Sequence, residues 1–164
     1  MGFYDELKEM SADLAFGIEN QRTRFVQRKA EEDLRLSEKN LRAALAMANI
    51  GHWTMKTTTG EFFWSEELYR IAGRDPSLLS PTLQNHPTLY TPESWKRGQA
   101  AVEKIIEDGK PFELEMEMIR PDGTTRWVRS LGRARQDSMG QVTELYGTLQ
   151  DITTWQPIKM NQGT

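Results

Sequence analysis

FELEMEMIRPDGTTRWVRSLGRARQDSMGQVTELYGTLQDI, residues 112–152, decides the fold: three successive stretches repeat with a period of two and are separated by turn residues. In the first, Phe112, Leu114, Met116 and Met118 alternate with Glu113, Glu115 and Glu117, the pattern of a strand with one buried and one wet face. Pro121, Asp122 and Gly123 supply a turn. A second strand follows over Thr125–Arg135, with Val128, Ser130, Gly132 and Ala134 on one face and Trp127, Arg129, Leu131, Arg133 and Arg135 on the other. The first set is small enough to floor a cavity. After a loop at 137–140, the segment Val142–Ile152 is apolar on both faces, with Val142, Tyr146 and Ile152 against Leu145 and Leu149. It reads as a central strand covered on both sides, and the N-terminal part of the chain is available as the outer cover.

Upstream lies the best-marked helix. Thr91 stands at the cap, Pro92 at the first helical position and Glu93 in the first turn, while Trp95, Val102, Ile105 and Ile106 form an apolar face that stops at Gly109. Between Arg74 and Tyr90, Pro76, Pro81 and Pro87 allow only broken turns of helix. Ser65 caps a short helix that ends at Gly73, with Glu66 and Glu67 where the helix dipole favours acids. Before it, IGHWTMKTT and EFFW flank Thr59 and Gly60 and read as a hairpin. From Tyr4 to Ala48 there is no proline and a single glycine, Gly17, so one long helix is expected. Its apolar seam runs through Leu7, Met10, Leu14 and Ile18, then Ala30, Leu34, Leu41 and Leu45, and needs a surface to cover. A second copy of the chain is the expected partner.

With 164 residues the chain has the material for one core, and with 21 basic against 24 acidic side chains it lacks the positive excess that nucleic acid or anionic membranes select. There is no cysteine, which excludes disulfides, thiolate metal sites and cysteine nucleophiles. No basic-then-apolar leader occurs, and nothing approaches the roughly 18 apolar residues of a membrane span. A soluble, cytoplasmic protein without membrane or nucleic-acid partners is therefore expected.

Two strands, a run of helices and three strands, in that order, resemble the PAS fold. IGHW (50–53), FFWSEELYRIAG (62–73), GKPFELEMEMIRPDGTTRWVRSLGRA (109–134) and GTLQDIT (147–153) are similar to successive signatures of PAS domains with a C-terminal PAC half. DELKEMSADLAFGIENQRTR (5–24) resembles the last helix of a GAF domain, and QRKAEEDLRLSEKNLRAALAMANIG (27–51) the helix that joins such a unit to a following PAS domain. The resemblance implies an α+β fold, a five-stranded antiparallel sheet with helices on one face, preceded by a long helix. It divides the chain into a helical arm (1–42), a PAS/PAC domain (43–155) and a tail (156–164). It further implies a fragment of a bacterial multidomain signalling protein of the two-component kind. The tail, WQPIKMNQGT from Trp155, departs from the basic helical linker usual after such a domain.

No phosphate loop, H-E-x-x-H or G-x-S-x-G motif is present, so neither catalytic nor metal-binding residues are assigned. The two histidines, His52 and His86, fall on a strand and in the proline-rich loop, where structural or solvent-facing roles are the plainer reading. Trp53, Met55, Trp64, Met116, Met118, Val128, Ser130 and Tyr146 are the candidate walls of a small-molecule pocket, set against the plainer reading that tryptophan and methionine simply fill a core. By resemblance, flavin and haem are the cofactors to weigh. A cysteinyl flavin adduct is excluded, non-covalent flavin needs no special residue, and haem finds a histidine only in His86. The expectation is no cofactor, with flavin or haem as the alternatives. Asp151, Ile152 and Thr153 match the motif that closes the PAS core, and Asp151 is expected to pair with Arg126 or with the Trp127 backbone. Leu34, Leu41 and Leu45 on the arm, with Trp127 and Leu131 on the outer face, are the candidates for arm docking and homodimerisation.

The expected function is a non-enzymatic sensory module that dimerises and relays a signal to an output domain, a histidine kinase or a diguanylate cyclase. The alternatives are a structural coupling spacer that binds nothing, and a flavin or haem redox sensor.

Overall fold

The computed structural model describes residues 2–78, 81–82 and 86–155. The tail expected at 156–164 lies outside these. The chain divides after Ala44 into two compact units. The first is the body of α1, a helix over Phe3–Met47 with no buried residue. Forty-five residues make it about 67 Å long at 1.5 Å per residue. Leu34 and Leu41 are each 60% exposed, so the stripe predicted on this helix is unburied in the single chain.

The second unit carries β1 (Ile50–Lys56), β2 (Phe62–Trp64), α2 (Glu66–Ala72), a single 3-10 turn (His86–Leu89), α3 (Pro92–Asp108), β3 (Phe112–Ile119), β4 (Thr125–Gln136) and β5 (Val142–Asp151). The sheet is antiparallel, in the order β2-β1-β5-β4-β3, so β5 is central as predicted. Gly60 turns the first hairpin with φ of 69°, its N–H donating to the Lys56 carbonyl at 2.8 Å. Ser65 caps α2 by accepting from the Leu68 N–H, and Gly73 ends that helix in the left-handed conformation. Thr91 occupies the cap position of α3 without a side-chain cap bond.

One face of the sheet holds the core. Trp53 and Met55 from β1, Met116 and Met118 from β3, Val128 and Ser130 from β4, and Leu145 and Leu149 from β5 are all buried. Above them lie Leu68, Tyr69, Ile71 and Ala72 of α2 and Ile105 of α3. Ile106, predicted on the same helical face as Ile105, is exposed. Glycine sets how close the layers come: a Cβ on Gly51 would lie 2.5 Å from Leu68 Cβ and 2.7 Å from Leu68 Cα, so α2 sits directly on β1.

Tyr146 departs from the expected arrangement. It is opposite Arg133, and the guanidinium of Arg135 lies 4.7 Å above its ring, which places it on the outer face with the arginines. Leu145 and Leu149 are the residues β5 turns to the core. The register shifts at Arg135/Gln136, where Gln136 pairs with Val142 and Arg135 with Glu144, so Thr143 is the extra residue of a bulge.

Candidate functional site

Between the core face of the sheet and α3 lies a cavity of about 380 Å³. Trp53 and Met55 of β1, Phe62 and Trp64 of β2, and Phe112, Leu114 and Met116 of β3 form one side of it, with Ser130 of β4. His86 and Tyr90 close one end, and Trp95, Gly98, Gln99, Val102 and Glu103 of α3 form the opposite wall. The size falls in the usual range for small-ligand sites of roughly 300–1,000 Å³.

Sequence alone predicted part of this wall. Trp53, Met55, Trp64, Met116 and Ser130 are brought together around the space. Met118 and Val128 are fully buried in the packed core and do not line it. Tyr146 lies on the other face of the sheet and is corrected out of the wall. The floor is made by an aromatic row laid over glycine. Gly132 lies beneath the Phe112 ring, Gly147 lies beside Trp53, and the two rings meet with centroids 6.4 Å apart and planes at 22°. A side chain at Gly132 would displace the Phe112 ring, and one at Gly147 would run into the Leu131 backbone carbonyl before it met Trp53.

His86 is the residue that pattern reading placed least well. It is 7% exposed and stacks on Phe62, centroids 4.3 Å apart at 22°, with Trp64, Tyr90 and Trp95 within about 6 Å. Burial, reinforced by the Arg74 charge, lowers its pKa to about 4, so the ring is neutral at neutral pH. Its Nδ1 is buried without a hydrogen-bond partner. Burial also raises the Tyr90 phenol and keeps it protonated. The sequence signal for this cluster was the run of ring-bearing residues flanking Pro87, namely His86 and Tyr90, followed by Trp95. His52, by contrast, points outward from β1.

The exit from the sheet is tied by Thr153. The Trp127 N–H donates to Thr153 Oγ1 at 3.0 Å, and the Ile152 N–H donates to the Trp127 carbonyl at 2.8 Å. Asp151 accepts from the Thr153 N–H at 2.9 Å and from its hydroxyl at 2.6 Å. The expected bond between Asp151 and Arg126 or the Trp127 backbone is thus replaced by an Asp151 to Thr153 to Trp127 relay. Arg126 and Asp151 instead share a separate polar hollow with Arg70 and Arg120.

On the outer face, Trp127 is half-buried and Leu131 is 43% exposed, beside Arg129, which pairs with Glu113 at 3.5 Å and Glu115 at 3.1 Å. Among the described residues no group of three or more histidine, cysteine, aspartate or glutamate side chains is placed to hold a metal ion, and no helix is long and apolar enough to cross a membrane.

The sheet order, the helical cover and the cavity between them define a sensory-domain fold. The PAS-fold family profile matches residues 61–149, and the chain belongs to that family. A curated relative, a blue-light-activated histidine kinase of Brucella anthropi, is 29% identical over 125 residues; these cover 71% of this chain and 23% of the relative. The chain therefore spans about a quarter of that protein's length. A sensory box histidine kinase/response regulator from Burkholderia thailandensis superposes with a TM-score of 0.60 at 23% identity, over 70% of this chain and 86% of that structure. The N-terminal domain of a diguanylate cyclase with a PAS/PAC sensor, from Marinobacter aquaeolei, gives 0.59 at 20% identity, over 65% and 97%. These structures share the fold with this chain.

Proposed function

We propose that this chain is the input module of a cytoplasmic signalling protein: it binds a small molecule in the cavity, dimerises, and passes a conformational bias to a histidine kinase or diguanylate cyclase domain. The cavity carries the reading. A spacer whose only task was to join domains would gain stability by filling such a space, since each missing methylene costs about 1 kcal/mol. The chain instead leaves an open volume framed by aromatic rings.

A ligand shifts a two-state module only through unequal affinity for the two states. The route available here runs along β4, from Ser130 at the cavity to Trp127 at the exit, and on to Asp151, Ile152 and Thr153. Dimerisation through Leu34, Leu41 and Leu45 of α1, with Trp127 and Leu131 of the outer face, would cover apolar surface that the single chain leaves open. The proposed units are the arm (1–42), the sensor (43–155) and the tail (156–164).

The aromatic wall suits a flat cofactor held without a covalent bond, and the absence of cysteine leaves no thiol for a flavin adduct. For haem, His86 is the one histidine at the cavity. Native mass spectrometry of the purified chain, with its absorbance spectrum, tests the reading. A dimer carrying retained mass is the expected result, and visible absorbance would name flavin or haem. A monomer at micromolar concentration would remove the arm pairing. A chain that retains nothing and takes up no small aromatic compound would return the coupling spacer to first place.

A further inference from the structure

At the corner where the chain enters and leaves the sheet, α2, the end of β3, the start of β4 and the end of β5 enclose a polar hollow of about 320 Å³ that shares no lining residue with the cavity beside α3. Three guanidiniums line it, Arg70 of α2, Arg120 just after β3 and Arg126 of β4, against two carboxylates, Glu67 and Asp151. Both carboxylates are already engaged. Glu67 takes Arg70 at 2.6 Å, and Oδ1 of Asp151 accepts the N–H and the hydroxyl of Thr153 at 2.9 and 2.6 Å. Arg120 is anchored through its Nε, which donates to the Ile71 carbonyl at 2.9 Å. Asp122, in the turn beside Arg120, is not among the lining residues.

Arg126 is the unbalanced charge. It is half-buried, and among the described residues its side chain makes no hydrogen bond or ion pair, with Asp151 or with any other group. Its Nε is sealed in the fold, so an occupant of the hollow would meet this guanidinium at its terminal amino groups and not at that nitrogen. A cation drawn partly out of water without a counter-charge is costly, and an anion brought to it relieves the cost. The planar fork of a guanidinium suits an oxyanion, which accepts two parallel N–H bonds. We propose that this hollow binds a small oxyanion, a phosphate or a carboxylate group, held by Arg126 and Arg120. Asn49 precedes β1 and Thr154 follows β5, so the bound anion would hold the two ends of the sheet at one point.

Inorganic phosphate and malonate are the probes. Each replaces sodium chloride at constant pH and ionic strength, so that screening alone changes nothing. The sealed Nε–H of Arg126 is protected from exchange with water, and its NMR cross-peak reads the guanidinium directly. Phosphate is expected to shift that peak along a saturating curve with its midpoint at about 1 mM, the scale of two charge-assisted hydrogen bonds. In Arg126→Gln, which keeps a polar side chain and removes the charge, the affinity read from the Thr154 amide is expected to fall about ten-fold or more. Tighter binding of malonate would assign the hollow to carboxylates and tighter binding of phosphate to phosphoryl groups, and either supports the proposal. A peak that moves with neither anion, or moves without saturating, would overturn it and leave Asp151 as the charge that balances Arg126. Unchanged phosphate affinity in the variant would overturn it as well. If the variant does not fold, the titration of the native chain decides alone.

Discussion

Acidification should weaken this domain through His86. In the unfolded chain the imidazole has its ordinary pKa of 6.5, and in the fold burial and the Arg74 charge lower it to about 4. Between those values the unfolded state binds more protons than the native one, so stability is fully present above about pH 6.5 and is lost as pH falls toward 4. At about pH 4.5 the unfolded imidazole is almost wholly charged and the native one largely neutral. The loss relative to pH 7 is then about 2 kcal/mol, a large share of the 5–15 kcal/mol typical of a domain. Carboxylates that titrate in the same range complicate a single melt. Asp75 and Asp122 are lowered by hydrogen bonds from the turns at Ser77 and Thr124. They are common to the native chain and to His86→Phe, so urea unfolding of both proteins from pH 7 to 4.5 isolates the histidine. The stability of the native chain relative to the variant should fall by about 2 kcal/mol across that range. Parallel curves would show that His86 is charged or solvated in the fold, and the account of its buried ring would be wrong.

Gly51→Ala would place a methyl 2.5 Å from Leu68 Cβ, so α2 must back away from β1, and a loss of about 2–3 kcal/mol is expected in thermal unfolding. An unchanged melting temperature would mean that α2 is not seated as closely as the structure has it. Ser94 is buried, and its Oγ accepts from the Glu117 N–H at 2.9 Å. Ser94→Ala should therefore cost about 1–2 kcal/mol, checked by urea denaturation, while a neutral effect would mean that water reaches that amide. Trp127→Ala should weaken self-association measured by sedimentation, and a dimer of undiminished stability would remove the outer face from the proposed interface.

The features legible in the sequence were those with a local cause. The alternation at Phe112–Met118 records one strand against one core, and the Pro92 and Gly109 boundaries record the chemistry of helix ends. Tyr146 was misplaced because a one-residue register change swaps the faces of a strand, and the bulge at Thr143 is set by pairing between β4 and β5 rather than by either strand alone. Met118 and Val128 were assigned to the right layer, but the boundary between filled core and open cavity depends on where the helices rest on the sheet. His86 was the hardest to place. Its neighbours Phe62 and Trp64 come from β2 and Trp95 from α3, and no spacing along the chain foretells that cluster.

The pairing of β1 with β5 fixes how the domain yields when it is pulled. Ile50 faces Gln150, and the Asp151 N–H donates to the Asn49 carbonyl at 3.0 Å, so the first and last residues of the sheet are neighbours on antiparallel strands. Tension drawn between the two ends of the domain opens that ladder one rung at a time instead of shearing all its rungs together, so it gives way at low force. Trp53, opposite Gly147, is the fourth rung from that end. A modest pull thus reaches a cavity wall after three rungs have parted, and a guest stacked on that indole would stiffen the seam against it.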